Sequence, residues 1–281
     1  MYGLLLKVAA ETLLTIGADV KRLGAKLGVT FVLHTWGSAM THHPHVHGIV
    51  PGGGLSADSE HWVSCKSGFF LPVRVLSRLF RRLYLEKLSQ AYQSNSLMFF
   101  GNDVELENEQ LFAKWLTPLR KKEWIVYAKR PFSGPKAVFI YLSRYTHRVA
   151  ISNSRLVKCD SNGVTFRCKN YRAKTSSHYR TMTLDNDEFI RRFLLHTLPS
   201  GFHRIRHYGL IANTGCKKNL VKARQLLNVI EVIPETKDLV EEKPIKQGPV
   251  FVCPECGGPM VINEILISQL KPRAPPMKLV N

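Results

Sequence analysis

Four of the six residues from 42 to 47 are histidine, in the run Thr41-His42-His43-Pro44-His45-Val46-His47-Gly48. Side chains of an extended backbone repeat every two residues, so a strand here sets His45 and His47 on one face and sends Val46 to the other. Two neutral imidazoles on one rigid face make half of a divalent-metal site. His43 is the nearest third ligand, with His34 or His42 as substitutes should Pro44 twist it away. A second group is Tyr141 and Tyr145, four apart and on one face of a helix, with Arg144 and Arg148 as a parallel pair beside them. A phenol oxygen near a bound cation can attack a phosphodiester in line and keep the phosphoryl group as phosphotyrosine. An ordinary tyrosine ionises near pH 10, so Arg144, Arg148 and the cation are expected to ease its deprotonation.

The elements that must hold these groups apart or together follow from period and punctuation. Apolar residues at Leu5, Val8, Ala9, Leu13 and Ile16 have helical spacing that ends near Gly24 and Gly28. Strands are expected at 29–36 and 44–50, with a third at 61–66 across the turn Pro51-Gly52-Gly53-Gly54, giving an antiparallel meander. From Pro72 the period changes to a helix striped by Leu76, Leu79, Phe80, Leu83 and Leu88, with Arg74, Arg78, Arg81, Arg82 and Lys87 on its other sides. A helix at 107–120, a strand at Glu123–Ala128 and a helix starting at Pro135 complete residues 1–150 as a core with antiparallel sheet and flanking helices. The expected class is α+β. Residues 151–230 read as a basic extension of short strands and a helix near 184–196, and residues 231–281 as a proline-rich linker and tail.

Composition points to the partner. The 281 residues carry 40 Lys and Arg against 21 Asp and Glu, a formal charge of +19, which calls for a polyanion. Between residues 141 and 180 stand nine basic residues and one acid, Asp160, and Arg204, Arg206 and His207 follow in a second basic and aromatic run. Arg144, Arg148, Arg155, Arg204, Arg206 and His207 are the expected DNA contacts, since phosphate-pairing cations interleaved with rings suit single strands. No apolar run has the length of a membrane span, so no membrane partner is expected. Six scattered cysteines and the lack of a leader segment suggest a reducing, cytoplasmic setting. Cys253 and Cys256 have the spacing of one zinc knuckle, but a Zn²⁺ site needs a second pair that does not follow, which leaves a half-site.

Four segments together resemble the two-tyrosine HUH transposases of rolling-circle insertion sequences, the insertion-sequence ninety-one type. They are His34-Thr35-Trp36-Gly37, His43-Pro44-His45-Val46-His47 with its Pro-Gly-Gly-Gly tail, Tyr141 through Asn153, and Arg204 through Leu210. The likeness runs from about residue 29 to 225. It implies an antiparallel HUH endonuclease-like core that nicks single-stranded DNA at element ends and transfers it to target DNA, using Mg²⁺ or Mn²⁺. By position His45 and His47 would be metal ligands, and Tyr141 and Tyr145 the nucleophiles. A plasmid replication initiator or relaxase would use the same chemistry, and a DNA-binding remnant would keep the basic field without catalysis. Such families typically carry an N-terminal cysteine-rich zinc module, and this chain is expected to start after it.

Overall fold

A computed structural model describes residues 1–132, 134–146, 150–170 and 179–229, without the side chains of 135 and 144–146. The class is α+β, with antiparallel sheets flanked by helices. Helix α1 (Tyr2–Ala18) buries Leu6, Ala9, Ala10, Leu13 and Ile16, a stripe at helical spacing. That stripe packs on the odd residues of strand β1 (Gly28–Trp36), namely Val29, Phe31 and Leu33. Strand β2 (His42–Ile49) returns antiparallel beside β1.

The third strand of this sheet is not the one the Gly-rich turn suggested. Strands β3 (Gly53–Leu55) and β4 (Trp62–Ser64) pair with each other as a short ribbon, tied by a bridge from Leu55 to Lys26 just ahead of β1. Beyond them come helix α2 (Val73–Gln93), helix α3 (Glu109–Lys121) and helix α4 (Pro135–Thr146). Helix α2 opens after Pro72, and α3 is capped by the Asn108 side chain, which accepts from the Gln110 and Leu111 amides. A second sheet follows, ordered β5 (Leu156–Asp160), β6 (Gly163–Lys169) and β7 (Tyr179–Leu184), then helix α5 (Asn186–Leu194). Only then does β8 (Ile205–Gly209) come back to the free side of β1, so the first sheet is ordered β2-β1-β8. Helix α6 (Cys216–Leu226) ends the described chain.

Glu123–Ala128 was expected as a strand and has the right alternation, with Trp124 and Val126 turned inward. It forms no ladder. Helix α2 holds it instead: the Ser77 hydroxyl donates to the Trp124 oxygen, and Arg81 donates to the oxygen of the preceding Lys122 at 2.7 Å. Trp124 lies against Phe80 and Tyr84. Residues Met1–Val229 make one compact unit, and Ile230–Asn281 are assigned to a second that lies outside the described residues. Among the described residues no helix is long and apolar enough to cross a membrane, and Cys65, Cys159, Cys168 and Cys216 are free thiols.

Candidate functional site

The register of β1 on β2 opposes His34 to His45 and Val32 to His47. Directly opposed residues share a face of the sheet, so His34 joins His45 and His47, while Val46 turns to the core against α1. One ring nitrogen from each of the three histidines lies within 4.8 Å of the other two. Ring centroids are 4.6 Å apart for His34–His47, 4.9 Å for His45–His47 and 5.5 Å for His34–His45.

This grouping depends on a bulge. Near the hairpin end Trp36 opposes His42, and the register slips by one residue between Trp36 and His34. Without the slip His34 would face Pro44's side, and His45 and His47 would share the helix-covered face with Leu33 and Phe31. Gly48 is required beside it, because a Cβ there would fall 2.7 Å from the Phe31 ring.

The histidine that the structure groups with His45 and His47 is His34, the alternative named for the third position, and not His43. His43 is exposed and contributes its backbone instead: its carbonyl accepts from His45 Nδ1 at 2.7 Å. A carbonyl can only accept, so His45 carries its hydrogen on Nδ1 and its lone pair on Nε2. His42 also lies outside the trio, with Nε2 hydrogen-bonded to the Tyr2 hydroxyl at 2.7 Å.

Electrostatics favour the uncharged form of His45 and His47. Burial, reinforced by His34, His45 and Lys129, holds His47 down to about 3. Burial lowers His45 as well, with His43 repulsion adding to it and the bond to the His43 carbonyl working against it. Imidazoles converging from two strands, one buried and two half-buried, have the chemistry of a divalent-metal site with three protein ligands, leaving positions open for oxygen donors. The donor set fits a metal ion.

Helix α4 brings Tyr141 to the same face. Its hydroxyl is 3.2 Å from His47 Nδ1, and Lys129 Nζ lies 5.8 Å from the Tyr141 ring centre. Phe132 meets the same ring edge-on at 5.1 Å. The side chains of Arg144 and Tyr145 lie outside the description, and Arg148, Cys253 and Cys256 lie outside the described residues. Of the other expected DNA contacts, His207 is exposed and sits opposite Thr30, on the histidine face, with Nδ1 2.9 Å from the Thr30 hydroxyl. Arg206 is on the opposite face, over Phe202, and donates to the His203 carbonyl. The Arg204 carbonyl accepts from the Leu33 amide. Arg155 donates to the Arg167 and Ser38 carbonyls.

Sequence reasoning passed over three residues that shape this site. Thr35, in the bulge, is 1% exposed, and its hydroxyl lies 3.1 Å from Nδ1 of His196, which is 2% exposed. His196 Nε2 donates to the Met40 carbonyl at 3.2 Å, so Nδ1 must accept from Thr35. Burial, together with His42, lowers the His196 pKa against the pull of that bond. Lys129 is the third, and its cation beside Tyr141 could have been noticed from the charge-rich turn that precedes α4. The hairpin tip is held further by Arg192, which donates to the Ala39 carbonyl at 3.2 Å, and by the Lys169 amide on Ser38 Oγ at 2.7 Å. The second sheet and α5 thus clasp the turn whose bulge sets the histidine face.

Comparison with known proteins gives the family. A family model described as "Putative transposase" matches residues 28–219, from the first residue of β1 into α6. The chain is 50% identical over 273 residues to "Putative transposase y4qJ" of Sinorhizobium fredii, covering 94% of this chain and 68% of that protein. It is 25% identical over 262 residues to the "Transposase for insertion sequence element IS801" of Pseudomonas savastanoi pv. phaseolicola, covering 92% of this chain and 60% of the relative. No solved structure matches. With the match spanning both sheets and the histidine hairpin, the chain belongs to this transposase family.

Proposed function

We propose that the chain is a rolling-circle transposase of the two-tyrosine HUH type, which cuts and rejoins one DNA strand through phosphotyrosine. The observation that carries this reading is the meeting of a phenol with three clustered imidazoles, at 3.2 Å from Tyr141 to His47. His34, His45 and His47 would hold Mg²⁺ or Mn²⁺. When bound, that ion supplies Lewis-acid stabilisation of charge on the phosphoryl oxygens.

The chain's own residues account for the rest. With Nε2 of His47 turned to the ion, Nδ1 carries the hydrogen and donates to the Tyr141 oxygen, which favours the phenolate. Lys129, above the ring, adds a positive charge on the same side. The phenolate attacks phosphorus, the oxygen–phosphorus bond to Tyr141 forms, and the bond to the 3′ oxygen breaks. The leaving 3′ oxygen takes up a proton and becomes a hydroxyl. In the reverse sense, a 3′ hydroxyl attacks the phosphotyrosine and frees Tyr141, so no nucleotide cofactor is consumed. Tyr145, one turn along α4, offers a second attack before the first linkage resolves. His207, on the same face, is positioned for the DNA strand, and Arg144 and Arg148 on and beyond α4 are proposed phosphate contacts.

The test is a labelled single-stranded element end incubated with Mn²⁺ and run on a denaturing gel. A covalent adduct should form, and His45→Ala with His47→Ala should abolish it while salt-sensitive DNA binding persists. An adduct of equal yield in the double variant, or none in the unaltered chain with any end, would overturn the reading.

A further inference from the structure

The segment that failed to become a strand has an unusual surface. In Glu123–Ala128 the inward residues Trp124 and Val126 are packed, whereas Ile125 is 96% and Tyr127 79% exposed. An extended chain of period two places Ile125, Tyr127 and Lys129 in one outward row, each about 6.6 Å beyond the last. Lys129, at the end of that row, stands over Tyr141. At the other end, Arg81 bonds the Lys122 carbonyl, and Arg81 also lines a groove with Arg78, Arg82 and Arg120, where Glu86 is the acid, paired with Arg82. From Trp124 to Cys159 the chain holds seven Lys or Arg and no Asp or Glu.

An apolar row in this setting is not a surface awaiting a protein core. It begins at arginines, ends at a proposed nucleophile, and is flanked by Lys121, Lys122 and Arg130. A phenol held in solvent between cations is a stacking platform, since every base offers a π-face while the phosphates pair with the charges. We propose that Arg120–Arg130 is the track on which single-stranded DNA lies as it enters the site, with a base stacked on Tyr127. This rests on the transposase reading above for its destination, Tyr141, and adds the path and the contacts.

The experiment measures binding without cleavage. The full chain is titrated into a fluorescent oligodeoxythymidylate of about 16 nucleotides, and into a duplex of the same length, in EDTA. Tyr127→Ala should weaken single-strand binding about tenfold, which is ~1.4 kcal/mol and near the low end for base–aromatic stacking. Tyr127→Trp should restore it, and duplex binding should hardly change. Lys129→Gln should instead flatten the salt dependence of single-strand binding by about 0.7 in log–log slope. Equal single-strand affinity in Tyr127→Ala would overturn the track, as would an equal loss for duplex. A Tyr127-dependent dimer in sedimentation, without the single-strand effect, would assign the row to a second copy instead. Because no metal is present, failure of Mn²⁺-dependent nicking alongside a Tyr127 effect would remove the catalytic reading and leave the track. Normal nicking alongside no Tyr127 effect would do the opposite.

Discussion

The two faces of β1 are made from alternate residues of the same nine-residue strand and do different work. Val29, Phe31 and Leu33 face α1 in an apolar cluster, where packing alone accounts for their burial. Thr30, Val32 and His34 face the other way, and there the buried ring is polar, stacked on Trp36 and ringed by two more histidines. Apolar burial stabilises in proportion to the area covered, whereas a buried imidazole costs free energy unless its nitrogens are engaged. The first face is therefore a stability element, and the second is held together by it.

The largest effect expected from this contrast is on the histidine face. His34→Ala should lower Mn²⁺ affinity by at least about a hundredfold, measured by titration calorimetry or Mn²⁺ resonance, with the thermal midpoint little changed. His43→Ala should leave that affinity near its original value, because the His43 ring lies beside His45 outside the cluster and the backbone carbonyl that orients His45 is kept. If His43→Ala were the more damaging of the two, the assignment of the third imidazole would break. Leu33→Ala, one residue away on the other face, should do the reverse. A loss of ~2–5 kcal/mol should appear as a lower denaturant midpoint, with metal affinity of the folded chain retained.

His196 tests how the two sheets cooperate. His196→Ala removes both bonds that pin Thr35 and Met40, and should reduce metal affinity by about tenfold or more although the residue does not touch the site. His196→Gln keeps a donor and an acceptor and should recover part of that loss, which a simple cavity effect would not. The smallest effect expected is with pH. His47 has a folded value of about 3 against an ordinary 6.5, so between those values the unfolded chain binds more protons than the folded one. Stability should be level above about pH 6.5 and fall as pH drops below it, visible in thermal midpoints without metal. His47→Gln should flatten that fall.

Much of this arrangement can be read from residue order. Period two sets His45 and His47 on one side with Val46 opposite, and period 3.6 gives α1, α2 and the helix that carries Tyr141. What period cannot give is parity between strands. One extra residue on β2, where His43 and Pro44 stand against the single Thr35, decides whether His34 joins His45 or is turned away from it, and Pro44 marks an irregularity there without giving its parity. The pairing of β8 with β1 is equally silent, because a strand's alternation does not name its neighbour, so Ile205–Gly209 read as a basic and aromatic run. Glu123–Ala128 fails for the opposite reason: its alternation is real, but its inward side packs on α2, with Trp124 against Phe80 and Tyr84 and its carbonyl bonded by Ser77, and no strand lies beside it among the described residues. His196 looks like any helix-end histidine until the hairpin tip folds onto it.

The account rests most heavily on Tyr141 as the residue that takes the phosphoryl group. Its direct test is to trap the chain on a single-stranded element end with Mn²⁺, digest the adduct, and locate the nucleotide by mass spectrometry. The expected result is nucleotide on Tyr141, lost in Tyr141→Phe and sharply reduced in His34→Ala. Nucleotide on a residue away from α4, or an undiminished adduct in Tyr141→Phe, would contradict it.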